Sequence, residues 1–305
     1  MDKQTTLNQE LAFEGKGLHT GVYVHITLRP AKADTGYVFR RVDLEGKPEI
    51  KADARAVSYT QRGTVLTGPA GEKISTIEHV LSALRGLGVD NCEIDIDGPE
   101  VPILDGSALL YTTAIRKVGL RTLDAERKYL VVTHKVVYED KAKGISIIAM
   151  PDDHFAAHVC IAFDGSRCLG NQWAAIESLG EQYQEVEACR TFVFLHEIQP
   201  LLQMGLIKGG DLDNAIVFVE NELTDEQKDA LRKQLGREQI TIHPSGVLNA
   251  KDLQYANEPA RHKLLDLIGD LSLALLPIKG RIIATRSGHG SNTVFAQMLI
   301  KEFLA

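Results

Sequence analysis

Apolar and polar residues alternate through GVYVHITLRP (21–30) and GYVFRRV (36–42), with β-branched and aromatic side chains at apolar positions and the turn-like AKADT between. This is the pattern of a strand pair. The period then changes: in STIEHVLSALRGLG (75–88), Ile77, Val80, Leu81, Leu84 and Leu87 recur at helical spacing and two glycines follow, which predicts a helix. CEIDIDG (92–98) alternates again, PILDGSA reads as a turn, and residues 107–118 return to helical spacing. From Tyr129 the order restarts. YLVVTHKVVYED, GISIIAMP and AHVCIAF read as strands, ARHKLLDLIGDLSLAL (260–275) as a helix, RIIATRSG (281–288) as a strand and SNTVFAQMLIKEF (291–303) as a helix.

The two halves rhyme in spacing. His79 precedes Gly106-Ser107 by 27 residues and His262 precedes Gly290-Ser291 by 28, and each Gly-Ser pair opens a terminal helix. The strand at 21–30 likewise parallels the one at 144–151. The reading is a diverged duplication: an α+β fold of two similar domains, 1–127 and 128–305, each a β-sheet layered against α-helices, joined at the polar AERK (125–128). The second half carries two extra pieces. Residues 164–222 add an amphipathic helix (LHEIQPLLQMG), a glycine loop (LIKGGDLDN) and a strand (AIVFVEN), and residues 223–258 contain TDEQKDALRKQLG, read as a solvated helix.

Composition narrows the function classes. The 305 residues are 44% hydrophobic and 25% charged, as in ordinary globular proteins. Acidic residues exceed basic ones by 41 − 34 = 7 and no Lys/Arg block of five occurs, so nucleic-acid binding has no electrostatic support. Cys92, Cys160, Cys168 and Cys189 form no C-x-x-C pair, which fits a reducing compartment rather than a disulfide framework. The most apolar stretch, 264–278, is broken by Asp266 and Asp270 and is too short to span a bilayer, and the N-terminus shows no secretory pattern. A cytoplasmic protein without a transmembrane segment is expected.

Candidate chemistry lies on the two paired helices. Turned by ~100° per residue, Ile77, Leu81 and Leu84 form one face of the first helix, and His79 falls nearly opposite, beside Ala83 and Gly86. On the second, Leu264, Ile268, Leu271 and Leu275 form the apolar stripe, with His262, Asp266, Gly269 and Asp270 on the other face. If the domains pack through these faces, His79, His262 and Asp266 converge as a three-ligand metal set with one position open. His262 and Asp266 at i and i+4 are also an ordinary helical pair when taken alone. Ser75-x-x-Glu78 reads as a capping box, the favoured role for Glu78 on sequence alone; beside a metal, the same carboxylate could act as a general base. His289, between glycines where a strand meets a helix, could protonate a leaving group or face an oxyanion if Asp270 keeps it charged; a tight turn that tolerates His is the plain alternative.

GKGLHTG (15–21), STIEHVLSAL (75–84), PILDGSA (102–108), RTFVF (190–194), GLIKGGDLDNAIV (205–217), RHKLLDLIGDL (261–271) and GHGSN (288–292) together resemble the signature blocks of the UDP-3-O-acyl-N-acetylglucosamine deacetylases of lipid A biosynthesis. The resemblance covers essentially the whole chain. It implies a zinc (Zn2+) amidohydrolase acting on a small-molecule UDP-acyl-glucosamine, a monomer, with its active site at the domain interface. By position it implies His79, His262 and Asp266 as zinc ligands, Glu78 as general base, His289 oriented by Asp270 as acid or oxyanion partner, and Thr191 at the oxyanion. It implies Lys263, Phe192 and Gly210 as substrate-binding positions and Ile198, Leu206, Ala215 and Val217 along a passage for the acyl chain. Lys208 and Asp211 depart from the pattern by placing charges in the passage loop. Some relatives continue into a fused dehydratase of acyl-carrier-protein substrates, and no such domain is expected within residues 1–305. The competing readings are a zinc hydrolase of another acetylated sugar or a peptide, and a catalytically silent nucleotide-sugar or acyl binder. Loss of Glu78 or of a ligand would mark the silent binder, and all four residues are present.

Overall fold

The computed structural model describes residues 2–304 apart from 237 and 250. In the first half the strands are β1 (Lys3–Leu7), β2 (Leu11–Lys16), β3 (Tyr23–Pro30), β4 (Tyr37–Arg41), β5 (Glu49–Lys51), β6 (Val57–Tyr59), β7 (Val65–Thr67) and β8 (Lys73–Ser75). Helix α1 (Glu78–Gly86), β9 (Cys92–Ile96), α2 (Leu109–Val118) and β10 (Leu120–Glu126) follow. The second half runs β11 (Leu130–Val131), β12 (Val136–Asp140), β13 (Ile145–Met150), β14 (Phe155–Phe163), β15 (Gly170–Ile176), α3 (Gln184–Glu187), β16 (Phe192–Phe194), α4 (Leu195–Gln203), β17 (Ile216–Phe218), α5 (Asp225–Leu235), α6 (Glu258–Leu271), β18 (Ile278–Thr285) and α7 (His289–Phe303).

The repeat inferred from spacing is visible in the sheets. One is ordered β2-β3-β9-β4-β5 and the other β12-β13-β18-β14-β15, with β11 also pairing to β18. In each, the central strand is antiparallel to the second strand of the opening hairpin and parallel to the first of the next (β9 to β3 and β4, β18 to β13 and β14). A helix precedes each central strand and another follows it, so α1 corresponds to α6 and α2 to α7. The fold is therefore α+β, built twice from a sheet and helices. One hydrophobic core passes through both halves, from Phe39 and Ile94 through Leu81 and Ile268 to Ile282 and Phe295.

Close approach of α1 to α6 has a specific cause. A Cβ on Gly269 would lie 2.0 Å from the carbonyl oxygen of Glu78, so only glycine lets the backbones approach this closely. Every residue of α1 is buried: its apolar side chains join the core cluster that includes Phe39 and Ile94 of the first sheet, and the helix packs against α6.

Several boundaries differ from the pattern. Residues 73–75 are strand, and α1 starts only at Glu78, because Thr76 adopts φ 58°, which breaks the helical path. YLVVTHKVVYED splits in two: Leu130–Val131 runs parallel to β18, whereas Val136–Asp140 runs antiparallel to β13, and one straight strand cannot serve both. The helix read through residue 275 stops at Leu271 and continues as a 3-10 turn at Ser272–Ala274 before Leu275 at φ 73°. In α5 the polar face is exposed as expected, but Leu231 is buried in a small cluster with Val217, Val219 and Leu248, so the helix also covers an apolar surface. The small sheet β6-β7-β8 gave no periodic signal in sequence.

Candidate metal centre

His79, on the first turn of α1, and His262 and Asp266, one turn apart on α6, meet where the helices pack. One ligand atom from each lies within 4.8 Å of the other two, and all three residues are buried. The Asp266 Oδ1 atom sits 3.6 Å from His79 Nε2 and 3.4 Å from His262 Nε2. Two donors bound at 2.0–2.1 Å to one tetrahedral metal stand about 3.3 Å apart, so these spacings suit a shared ion.

The polar partners also fit. Asp266 Oδ1 is buried without a hydrogen-bond partner, while Oδ2 accepts from Lys263 Nζ at 2.8 Å. A buried, unsatisfied carboxylate oxygen is costly unless a cation meets it. His262 Nδ1 lies 2.9 Å from the Cys189 carbonyl, and only a protonated Nδ1 can donate there, which leaves the Nε2 lone pair facing Asp266. Burial holds His262 neutral, lowering its pKa to about 3. Burial opposes ionisation of Asp266, but His262, Lys263 and His79 beside it hold its pKa well below the usual carboxylate value. Two imidazole nitrogens with a carboxylate oxygen are the donor set of a catalytic zinc-type site.

A second constellation faces the first. Glu78 does not form the capping box that Ser75 suggested: α1 has no side-chain cap, Ser75 belongs to β8, and Glu78 Oε2 accepts from the Thr64 amide at 3.1 Å. Its Oε1 atom is 3.9 Å from His289 Nε2. His289 opens α7, and its Nδ1 meets Asp270 Oδ2 at 2.9 Å. Asp270 also accepts from Thr64 Oγ1 at 2.6 Å and from Asn292 Nδ2 at 2.9 Å, which fixes the orientation of its carboxylate. Burial raises the Glu78 pKa above 4.5, partly offset by His289 and His79. Burial works against a charged His289, yet Asp270 and then Glu78 outweigh it and raise its pKa to about 9.

Both constellations open into one cavity of about 410 Å³ that also exposes Thr191, Phe192 and Lys263, with Arg62, Lys143 and Arg286 adding positive charge to its walls. The Lys263 ammonium lies 5.6 Å from the Phe192 ring centre. A neighbouring apolar cavity of about 260 Å³ shares Leu18, Arg62, Thr191 and Phe192 with it, so the two adjoin. Ile198, Gly210, Ala215 and Val217 line the apolar cavity, as do Lys208 and Asp211. Leu206 is half-buried beside it, and its neighbour Ile207 stands in the wall instead. The loop bearing these residues docks onto the first half: the Gly209 amide donates to the Leu18 carbonyl at 3.0 Å, and a Cβ on Gly209 would lie 2.1 Å from the Gly17 carbonyl oxygen.

Sequence reasoning missed Thr64, Asn292 and the Cys189 carbonyl. None lies in a periodic pattern, although Asn292 stands in the GHGSN block and could have been read beside His289.

Comparison with known proteins gives a consistent result. The family model described as UDP-3-O-acyl N-acetylglycosamine deacetylase matches residues 4–234 and 227–301. The chain is 48% identical over 302 residues to the "Bifunctional enzyme LpxC/FabZ" of Bacteroides thetaiotaomicron and 48% identical over 303 residues to the protein of the same name from Porphyromonas gingivalis; each alignment covers 99% of this chain. It spans only 65% of the length of those two relatives. It is 39% identical over 300 residues to the "UDP-3-O-acyl-N-acetylglucosamine deacetylase" of Geobacter sp. (strain M21), covering 98% of this chain and 89% of that protein.

Proposed function

The chain belongs to the UDP-3-O-acyl N-acetylglycosamine deacetylase family, and from that premise we propose that it hydrolyses the acetamide of a UDP-3-O-acyl-N-acetylglucosamine, releasing acetate and the free amine, in lipid A synthesis. The observation that carries this reading is the convergence of His79, His262 and the unsatisfied Asp266 Oδ1 opposite Glu78 and His289 within one cavity, with Asp270 bonded to His289 from behind the wall.

His79, His262 and Asp266 would hold a zinc ion, which when bound supplies a Lewis acid for the amide carbonyl and acidifies the attacking water. Glu78 takes the water proton: its Oε2 is tied to the Thr64 amide, and Oε1 stands on the His289 side. As the water oxygen bonds to the carbonyl carbon, negative charge grows on the carbonyl oxygen, where protonated His289 and the Thr191 hydroxyl stabilise it. The C–N bond breaks as nitrogen takes the proton carried by the Glu78–His289 pair. The bond from Asp270 fixes the imidazole orientation and keeps its charge.

The remaining walls suit the rest of such a substrate. Lys143, Arg286, Lys263 and Arg62 offer cations to a diphosphate, and the adjoining apolar cavity, walled by Ile198, Ala215 and Val217, suits an acyl chain. Lys208 and Asp211 sit in that wall, so the acyl-length preference is set partly by charged side chains. Four free cysteines suit a cytoplasmic setting; among the described residues no helix is long and apolar enough to cross a membrane. Acetate release from UDP-3-O-(3-hydroxyacyl)-N-acetylglucosamine by the purified protein tests the reading. Turnover is expected, and zinc-loaded protein that releases no acetate at any acyl length would refute it.

A further inference from the structure

At the other ends of α1 and α6, away from the metal ligands, lies a separate cavity of about 430 Å³. It is formed by the last residues of α1, the last turn of α6, the 178–180 loop and the start of β18, so both halves contribute to it. Its volume falls within the ~300–1,000 Å³ common for small-molecule sites, and its walls are mainly apolar, with Leu87, Leu179, Leu271 and Leu276 among them.

One wall residue lacks an ionic partner. Arg85 is only 6% exposed, its Nη1 atom is buried without a hydrogen-bond partner, and its guanidinium lies 5.1 Å from the Tyr37 ring centre. Among the described residues no carboxylate pairs with it. The other cations of the cavity are engaged: Arg127 with Asp90 at 2.8 Å, and Lys279 over the Tyr129 ring at 4.2 Å. A buried guanidinium without an anion is unfavourable, and the negative C-terminal end of α1 and the Tyr37 ring compensate it only in part. Arg85 stands in the wall of this mainly apolar chamber, so a counter-charge adjoins space for the body of a ligand.

We propose that this cavity is a second binding site, for a monoanionic carboxylate on a medium-length apolar chain, with Arg85 as its counter-charge. Asp2 and Asp153 also line the cavity, and their charges disfavour a doubly charged phosphate there. The site is separate from the catalytic cavity, sharing no wall residue with it or with the adjoining apolar passage.

The test is calorimetric titration of the zinc-loaded protein with octanoate, with octan-1-ol as the uncharged control. Octanoate binding by the wild type, at least tenfold weaker in Arg85→Met and partly retained in Arg85→Lys, with octanol showing no Arg85-dependent binding, is the expected result. Ser178→Trp, at the half-buried loop in the cavity wall, should weaken binding without touching the buried cation. Acetate release should be unchanged in each variant. Octanoate binding of equal strength in wild type, Arg85→Met and Ser178→Trp would locate it in the catalytic passage and overturn the proposal, as would no binding to the wild type.

Discussion

Glu78 and His289 stand 3.9 Å apart, and the proposed mechanism gives them opposite roles, one to gain a proton and one to hold it as negative charge grows. Replacing Glu78 by Gln preserves shape but removes the base, so turnover should fall by roughly 10²–10⁴-fold while zinc content stays at wild-type level. Near-normal turnover would reduce Glu78 to an anchor for the Thr64 amide. Asp266→Ala should lose zinc on dialysis against a mild chelator, and metal analysis showing full retention would remove Asp266 from the ligand set. The pKa of His289 is raised to about 9 from an ordinary value of 6.5, so its charge is complete at pH 6.5 and lost as pH rises through about 9. Activity that needs the imidazolium, and the stability its ion pair contributes, should decline over that same alkaline window. Asp270→Asn removes the largest cause of the upward shift and should move the alkaline limb of kcat/KM down by more than one pH unit; a limb that stays in place would assign it to another group.

At the scale of elements, the site depends on two helices held at close range. Gly269→Ala would place a methyl group 2.0 Å from the Glu78 carbonyl oxygen, forcing α1 and α6 apart. A loss of about 1–3 kcal/mol, the usual cost of overpacking, together with weaker zinc retention, is expected from denaturation and metal-binding measurements. Wild-type values for both would contradict the close crossing. These helices were legible in the sequence because each carries a clean apolar stripe with its histidine on the opposite face, and the strands because alternation survives wherever one sheet face is buried. What sequence could not show follows from the same physics. Thr64 lies between two three-residue strands of a local meander, each too short to carry a recognisable alternation, so no local period marks it. The Ser75-x-x-Glu78 spacing matches a capping box, but Thr76 turns the chain at positive φ and sends its hydroxyl to Glu100 at 2.8 Å, placing Ser75 outside the helix. A short motif reports local preference, and a buried tertiary partner overrode it.

For the whole molecule, the matching sheet orders and the single core crossing both halves explain how histidines 183 positions apart (262 − 79) meet at one site. The insert is built differently. Phe194, Ile216 and Phe218 pack in one small cluster and Val217, Leu231 and Leu248 in another, both outside the main core. Hydrogen exchange should therefore be faster across residues 195–235 than across α1 and α6, and equal protection would mean that the insert is as firmly anchored as the core. Such a hierarchy would suit the proposed acyl passage beside the proposed metal centre. The most direct measurement is acetate release from UDP-3-O-(3-hydroxymyristoyl)-N-acetylglucosamine after chelation, then again after one equivalent of zinc is returned. Activity that vanishes on chelation and is restored by that single equivalent is the predicted result. Acetate release that persists in fully metal-free protein would contradict the assignment of His79, His262 and Asp266 as the catalytic metal site.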